Sequence, residues 1–442
     1  MSLPRYPAYR ESGIDWFEEV PVHWQSCKLK HLCSFTTGWT PPTGDSSAYD
    51  GTNLWANISD LGDKVVSNTA KRISDEAVAK ANICISPKGS LLFSFKLSVG
   101  QVSIAGCPMY TNEAIATFKE SDLLLAGYAY YALPVFVVKN ASENIYGAKL
   151  LNQELINSAK VAAPPIDEQR DITAFLDRET AKIDALIAEQ EKLLALLAEK
   201  RQATISHAVT RGLDPNAPMK DSGVPWLGEV PAHWEVSPLK YISRIGNGST
   251  PNRDNPDYWS DSGFPWLNSS VVNQDEATEA ERFVTELALK ECHLPVIRPP
   301  AVLVGITGQG KTRGMAAPLM FEATINQHLA YILPEACRLE VTYLLRALEM
   351  AYDTLRTESE SAGSTKGAIT CDQLSRFTIP VPPLDEQRAI AKHIDIKAAH
   401  FDKLASDSRQ AIALLKERRS ALIAAAVTGQ IDVRGFVEAQ AA

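Results

Sequence analysis

The stretch ESGIDWFEEVPVHWQSCKLKHLCSFTTGWTP at residues 11–41 returns 210 positions later as DSGVPWLGEVPAHWEVSPLKYISRIGNGSTP, residues 221–251, with 13 of 31 positions identical. A second stretch begins PPIDEQR at residues 164–170 and returns as PPLDEQR at residues 382–388. It stays similar as far as Asp432, with 22 of 51 positions identical. Internal repeats of this kind indicate duplicated structural units. Because similarity nearly vanishes between the blocks, the chain alternates a repeated frame with a divergent insert, twice.

The repeated frame is circular. The central junction runs from VTRGLDPN at residues 209–216 into SGVPWLGEVPAHW at residues 222–234. The C-terminal VTGQID at residues 427–432, joined to the N-terminal SGIDWFEEVPVHW at residues 12–24, would rebuild that junction. We therefore predict a pseudo-twofold molecule whose two termini lie side by side. His23 and His233, each followed by Trp in this frame, are interpreted as packed structural residues.

Each PPxDEQR motif opens a long apolar pattern. Apolar residues recur at spacings of three and four through residues 167–210 and again after the second motif, which is typical of a coiled-coil helix. About 44 residues at ~1.5 Å each span roughly 65 Å, more than the width of a small domain. We therefore predict two long helices that pack antiparallel as a spacer.

The inserts mix short strand-like runs, helical patterns and turn-rich loops. LLFSF at residues 91–95 and AVLVGI at 301–306 are typical of strands, whereas DEAVAKA at 75–81 and VTYLLRALEMAYDTL at 341–355 are typical of helices. The predicted fold class is α+β: two mixed α/β domains with pseudo-twofold symmetry, separated by two long antiparallel coiled-coil helices.

The pattern divides the chain into five segments. They are an N-terminal frame segment (1–24), a first insert domain (25–160), a central helical spacer (161–215), a second insert domain with its lead-in (216–378) and a C-terminal helical spacer (379–442).

Composition narrows the functional class. The formal net charge of −9 argues against a protein that binds a polyanion unaided. Residues 21–160 carry 12 Lys and Arg against 11 Asp and Glu, and residues 216–378 carry 14 against 20. Seven scattered cysteines without a CxxC pair, together with no apolar run of ~20 residues, favour a cytoplasmic protein without disulfides or a membrane span. The histidine spacings predict no metal site.

Residues 305–312 read GITGQGKT, a literal match to the phosphate-binding pattern GxxxxGK[ST]. A strand-like run precedes it, as in nucleotide-binding enzymes. However, the following residues, which include Pro318, do not favour the helix that must begin at Lys311. A nucleotide-binding enzyme therefore stays as an alternative, beside a Gly-rich turn that aims Lys311 and Arg313 at a DNA backbone. A coiled-coil scaffold without DNA specificity, suggested by the acidic charge, is the other alternative.

The duplicated frame, the divergent inserts, the PPIDEQR and PPLDEQR helices and the VPxHW lead-ins resemble the DNA-sequence specificity (S) subunits of type I restriction–modification systems. The resemblance covers residues 11 to about 432. It implies that each insert is a target recognition domain for one half of a gapped double-stranded DNA site. It also implies that the helices dock two adenine methyltransferase (M) subunits, and that restriction/translocase (R) subunits join the complex. The chain itself would have no catalytic role and no cofactor, since S-adenosylmethionine, ATP and Mg²⁺ would belong to the partners.

Loop position and side-chain chemistry indicate candidate DNA contacts in this sequence. In the first insert they are Trp39, Thr40, Lys96 and Lys149; in the second they are Asn247, Ser249, Thr250, Arg253, Lys311, Arg313 and Lys366. The candidate docking residues are the tetrads Asp167, Glu168, Gln169, Arg170 and Asp385, Glu386, Gln387, Arg388. Helix caps and first-turn carboxylates are an equally good interpretation of these tetrads.

Overall fold

The computed structural model describes residues 4–42, 44–143, 147, 149–274, 276–308, 310–361 and 367–436. The chain forms two compact units. The first unit comprises residues 1–190 and 410–442, and the second unit comprises residues 191–409.

The first unit holds the first insert and the parts of the frame around it. Its strands are β1 Tyr9–Ile14, β2 Phe17–Pro21, β3 Gln25–Lys28, β4 Phe35–Thr37, β5 Asn53–Ala56, β6 Val65–Val66, β7 Lys71–Ile73, β8 Leu91–Ser94, β9 Val102–Ala105, β10 Tyr110–Thr111, β11 Ile115–Phe118, β12 Ser142–Glu143, β13 Lys149–Leu150 and β14 Lys160–Ala163. Its helices are α1 Asp75–Ala81, α2 Ala126–Lys139, α3 Gln153–Ser158 and the first half of α4 Ile166–Arg211.

The second unit holds the second insert and its frame. Its strands are β15 Met219–Asp221, β16 Glu229–Pro231, β17 Glu235–Pro238, β18 Ser243–Asn247, β19 Trp259–Ser260, β20 Phe264–Leu267, β21 Arg282–Val284, β22 Ala301–Gly305, β23 Ala316–Leu319, β24 Thr324–Ile325, β25 Leu329–Pro334 and β26 Thr378–Val381. Its helices are the second half of α4, α5 Glu286–Glu291, α6 Val341–Met350, α7 Tyr352–Ser361, α8 Cys371–Arg376 and the first half of α9 Leu384–Val427. The second half of α9 belongs to the first unit.

The two inserts share one main strand order although their sequences have diverged. Each adds one strand to it: β6 pairs parallel with β9 in the first insert, and β19 pairs antiparallel with β21 in the second. The strand order β4–β11–β8–β9 in the first unit matches β18–β25–β22–β23 in the second, with antiparallel neighbours throughout. A smaller sheet, β10–β5–β7, matches β24–β20–β21, and each contains one parallel pair. A frame strand pairs with the strand that precedes each long helix, β3 with β14 and β17 with β26. The duplication seen in the frame therefore extends through both inserts.

Matched aromatic residues fill the two cores. Trp24 and Trp234 are each 1% exposed, and Tyr128 and Tyr343 are fully buried. The Tyr128 hydroxyl donates to the Ala162 carbonyl at 2.9 Å, and the Tyr343 hydroxyl donates to the Pro380 carbonyl at 3.0 Å. Burial raises the pKa of both tyrosines well above the ordinary value. These phenols therefore act as neutral donors that tie each insert to the strand before its long helix.

The long helices run antiparallel within each unit. In the first unit, Arg178 of α4 donates to the Phe436 carbonyl, which follows α9, at 3.0 Å, and Asp184 of α4 pairs with Arg419 of α9 at 2.8 Å. Later residues of α4 therefore contact earlier residues of the C-terminal segment, as in an antiparallel pair. The second unit shows the same antiparallel arrangement. Arg201 of α4 lies 4.0 Å from Asp402 of α9, and the buried residues near Val209 pack with those near Ile390. The predicted fold class is confirmed, including the antiparallel helices.

The termini meet in the first unit, as the circular frame predicts. The Asp432 amide donates to the Pro4 carbonyl at 2.8 Å, and the Tyr9 hydroxyl donates to the Gly429 carbonyl at 3.0 Å. One predicted element differs: residues 341–355 form two helices, α6 and α7, because the helix is interrupted at Ala351.

Candidate nucleic-acid interface

A matched loop, GWTP at residues 38–41 and GSTP at residues 248–251, follows the first sheet strand of each insert. A Cβ atom on Gly38 would lie 1.7 Å from the Thr111 carbonyl oxygen, and one on Gly248 would lie 1.8 Å from the Ile325 carbonyl oxygen. Only glycine allows the two backbones to approach this closely. The same close approach in both copies fixes where each loop leaves the sheet.

Main-chain bonds hold the next residue of each loop. The Trp39 amide donates to the Thr111 carbonyl at 2.9 Å, and the Ser249 amide donates to the Ile325 carbonyl at 3.0 Å. The Trp39 and Ser249 carbonyls each accept a buried indole N–H, from Trp55 at 2.9 Å and from Trp266 at 3.1 Å. Because this anchoring uses main-chain atoms, the side chains at 39 and 249 can differ without changing the loop.

The threonine of each loop bonds to the residue that follows a matched asparagine, and here the two copies differ. Thr40 donates to the Glu113 carboxylate, whereas Thr250 donates to the Gln327 side-chain oxygen at 2.5 Å. Partial desolvation opposes ionisation of Glu113. Hydrogen bonds from the Thr40 hydroxyl and the Glu113 backbone amide, together with the positive charge of Lys96, outweigh this effect and lower the pKa of Glu113. The first insert therefore presents a carboxylate where the second presents an amide.

The stretch that resembles a phosphate-binding loop is the connection of a β-hairpin. Strand β22 pairs antiparallel with β23, and the Gly314 amide donates to the Gly305 carbonyl at 2.8 Å across the hairpin. Among the described residues of this connection none begins a helix, so the N-terminal helix dipole required by a phosphate-binding loop is missing. The nucleotide-binding enzyme alternative is not supported.

The two candidate cations in this hairpin lie in different environments. Lys311 is exposed. The Arg313 side chain is only 4% exposed and donates to Glu360 at 2.5 Å. Arg356 of α7 donates to the Gly310 and Arg313 carbonyls at 2.7 and 3.0 Å. Burial and pairing make Arg313 part of the hairpin support, which leaves Lys311 as the accessible cation of the pair.

The other candidates are distributed over exposed positions. Lys96 lies in the loop between β8 and β9, and Lys149 lies in β13; both are exposed. Asn247 at the end of β18 and Arg253 in the following loop are exposed as well. Lys366 lies outside the described residues.

The DEQR tetrads divide into an outward and an inward pair. Asp167 and Arg170 form an exposed ion pair at 2.7 Å, and so do Asp385 and Arg388 at 3.2 Å. The glutamate and glutamine between them point toward their own unit. Of the eight candidate docking residues, Glu168, Gln169 and Gln387 are buried, which corrects their place in a docking surface; docking by the other five stays a prediction.

The inward glutamines connect each long helix to its insert. Gln169 donates to the Leu123 and Pro164 carbonyls and accepts from the Leu125 amide, each at 2.9 Å. Gln387 makes the same three bonds at 2.8 Å, with the Arg338 and Pro382 carbonyls and the Glu340 amide. Each amide side chain therefore satisfies three backbone groups at the start of its helix.

The inward glutamates hold the histidine and tryptophan of the VPxHW motifs. Glu168 lies 2.8 Å from His23 and accepts from the Trp24 indole at 3.0 Å. Glu386 makes the equivalent contacts with His233 at 2.8 Å and Trp234 at 2.9 Å. Both histidines therefore contact the frame, as predicted, but they are exposed rather than packed, with side chains 35% and 48% exposed.

Sequence reasoning missed the partners of the loop threonines. Glu113 and Gln327 lie in the short echo NEAIA (112–116) and NQHLA (326–330), the one signal that could have identified them. Asn112 and Asn326 each use the side-chain oxygen to accept a main-chain amide two residues on, which explains the shared asparagine.

The described part of the chain contains no cluster of three His, Cys, Asp or Glu residues able to hold a metal ion. Over the same residues, no helix is both long and apolar enough to cross a membrane.

Comparisons with known proteins agree with this duplicated architecture. The type I restriction enzyme MjaIX specificity subunit of Methanocaldococcus jannaschii is 24% identical, with 96% of each chain covered. The putative MjaX specificity subunit of the same organism is 25% identical, covering 96% of this chain and 98% of the relative.

Solved structures share the fold at low sequence identity. A chain from a structure that describes complex assembly and conformational transition of the type I R-M system matches with a TM-score of 0.72 and 16% identity, covering 93% of this chain and 99% of that one. The HsdS subunit from Thermoanaerobacter tengcongensis matches with a TM-score of 0.53 and 17% identity, covering 94% and 99%. The family model for the type I restriction modification DNA specificity domain matches residues 21–195 and 231–412, so the chain belongs to this family and carries its domain twice.

Proposed function

We propose that this chain is the non-catalytic subunit that selects a gapped DNA site for a type I restriction–modification complex. Each insert reads one half of the site in double-stranded DNA. The observation that carries the proposal is the pair of inserts with one main strand order and matched loops that present different chemical groups.

The differing groups suit different bases. The Glu113 carboxylate only accepts hydrogen bonds, as do acidic side chains that bind the amino group of cytosine. Gln327 both donates and accepts, which matches the donor and acceptor edge of adenine. Lys96, Lys311 and Arg253 are exposed near these loops or in the hairpins and supply phosphate contacts that position the reading groups. Two such inserts would recognise two unequal half-sites.

We assign to partner subunits the phosphate neutralisation and the catalytic steps that we do not assign to this chain. A net charge of −9 gives little sequence-independent attraction to DNA, so other subunits supply most of the phosphate neutralisation. We assign docking of two adenine methyltransferase subunits and the restriction subunits to the exposed frame, including the Asp167–Arg170 and Asp385–Arg388 pairs. Methyl transfer with S-adenosylmethionine, and translocation with ATP and Mg²⁺, take place in those partners, in the cytoplasm.

The test is to purify the full chain together with the methyltransferase subunit from its native host and to map methylated adenines in DNA treated with the complex. We expect two methyltransferase copies per chain and one bipartite motif with unequal halves. The methyltransferase subunit without this chain serves as the control and should methylate no defined motif. A contiguous motif, or the same motif without this chain, would contradict the proposal. So would purification of the chain without any partner.

A further inference from the structure

The two His–Glu–Trp frame clusters differ in one way: the first is capped by a tyrosine and the second is open. In the first unit the Tyr6 hydroxyl donates to Glu168 Oε1 at 2.5 Å, and its ring lies 5.8 Å from the Trp24 ring and 5.7 Å from the His23 ring. The Arg434 guanidinium lies 4.9 Å from the centre of the Tyr6 ring. Tyr6 is 4% exposed, and it covers Glu168, whose side chain is 6% exposed.

The second unit has a cavity of about 240 Å³ at the equivalent place. His233 and Glu386 line it, and the Glu386 side chain is 43% exposed. The other lining residues come from the junction after α4, the VPxHW motif and the first turns of α9: Arg211, Gly212, Leu213, Asp214, Ala217, Pro231, Ala389 and Ile390.

The difference follows from which segments reach this place in each unit. With the offset of 210 that relates the N-terminal block, Asn216 is the counterpart of Tyr6; with the offset of 218 that relates the helical block, Asn216 is also the counterpart of Arg434. In the first unit, the segments around Tyr6 and Arg434 both reach this place, so it has both a ring and a guanidinium there. The second unit passes through with one continuous turn and has neither.

From this comparison we infer that the cavity beside His233 and Glu386 is a docking site for a tyrosine side chain of a partner protein. The filled copy defines the occupant: an aromatic ring that packs between the histidine and the tryptophan, with a hydroxyl that donates to the glutamate. Glu386 accepts from His233 and Trp234, and a carboxylate has further acceptor capacity, as Glu168 demonstrates by accepting a third donor. Assignment of the partner to the methyltransferase subunit rests on the proposed function, whereas the preference for a phenol does not.

The first experiment measures binding of p-cresol, the side chain of tyrosine, to the full chain by saturation-transfer NMR. We expect a Kd on the order of 1 mM, with toluene about tenfold weaker because it lacks the hydroxyl. Asn216 is the counterpart of Tyr6 and lies next to the lining residue Ala217, so Asn216→Tyr should place a ring in the cavity and abolish the signal. Ala389→Trp changes a lining residue and should block the cavity independently. Tyr6→Ala is the matched control, since it opens the equivalent site in the first unit and should increase binding. Absence of p-cresol binding to the wild type, or retention of it in both blocked variants, would overturn the inference.

The second experiment measures the Kd between the chain and the methyltransferase subunit for the wild type, Asn216→Tyr and Asn216→Ala. We expect at least a tenfold loss for Asn216→Tyr, because the cavity is occupied, and no change for Asn216→Ala, which leaves it open. Equal affinity for all three would refute docking of a partner tyrosine while leaving the specificity-subunit function intact. If the wild type itself did not bind the methyltransferase, the proposed function would fail, and the p-cresol result would still decide what the cavity accepts.

Discussion

The frame and the inserts of this chain each occur twice, yet they differ in what their two copies share. In the frame, Gln169 and Gln387 make the same three backbone bonds, and Glu168 and Glu386 hold the same histidine and tryptophan. In the inserts, the strand order is retained while the exposed groups change, as at Glu113 and Gln327. The frame groups bond to fixed partners in their own unit, and both glutamines are buried, so few residue types can satisfy those bonds. Glu113 and Gln327 are exposed, so their side chains are freer to differ.

The strongest way to break this comparison is to exchange one insert. Replacing residues 25–160 with the corresponding insert of a relative should change one half of the recognised site and leave the other half intact. Loss of specific contacts to one half should weaken binding to the original site by on the order of a thousandfold or more. Methylation mapping of the reconstituted complex provides the readout, and exchange of residues 235–378 is the matched control for the other half. A change in both halves, or in neither, would rule out two independent reading domains.

A second way is to remove a frame glutamine. Gln169→Leu leaves the Leu125 amide and the Leu123 and Pro164 carbonyls without their partner, and it should lower the free energy of unfolding by about 3 kcal/mol. Gln387→Leu should have a similar effect, since it loses the same three bonds. Denaturant unfolding of the full chain measures both.

Arg170→Ala is the control for the frame glutamines. It removes only an exposed ion pair in the same tetrad and should cost less than about 0.5 kcal/mol. A glutamine variant as stable as this control would mean that water replaces the lost bonds.

The sequence predicted most of the frame and little of the reading surface, for a physical reason. The long helices, the meeting of the termini and the structural histidines follow from periodicity and repetition, because core packing restricts residue type at each position. The burial of the Arg313 side chain could not be predicted, because it depends on contacts with α7 and on the ion pair with Glu360, both distant in sequence. The sequence left docking and helix capping equally open for the tetrads, because spacing alone does not distinguish the exposed Asp167 from the buried Gln169.

A third prediction concerns a variant that gives the first insert the side chain found at the matched position of the second. Glu113→Gln gives the first insert the amide found in the second, without changing its shape. If this group contacts a base, discrimination at one position of the first half-site should change by about 1–3 kcal/mol, with the second half-site unaffected. Binding to a set of single-base variants of the mapped site gives the measurement. Gln327→Glu is the reciprocal variant and should alter only the second half; an effect on phosphate binding alone, equal for all sequences, would argue against base contact.

The smallest expected effect is a difference in titration between the two loops. Thr40 and Lys96 lower the pKa of Glu113, so the folded chain should hold this carboxylate ionised to a lower pH than an unfolded chain does. A lowered folded-state pKa contributes stability that is present above the unfolded-state pKa and is lost as the pH falls through the folded-state pKa. Because Glu113 is exposed, the contribution should stay below about 1 kcal/mol.

Carboxyl ¹³C NMR of Glu113 tests this difference directly. Thr40→Val should raise the pKa toward the ordinary value, because it removes a donor to the carboxylate but leaves the loop anchored through Trp39. Thr250→Val is the matched change in the second insert, where Gln327 has no proton to lose. It should therefore leave the pH dependence of unfolding unchanged. If the Glu113 pKa in Thr40→Val equals that in the wild type, the lowering comes from Lys96 and the backbone. The threonine would then have the same purely structural role in both loops.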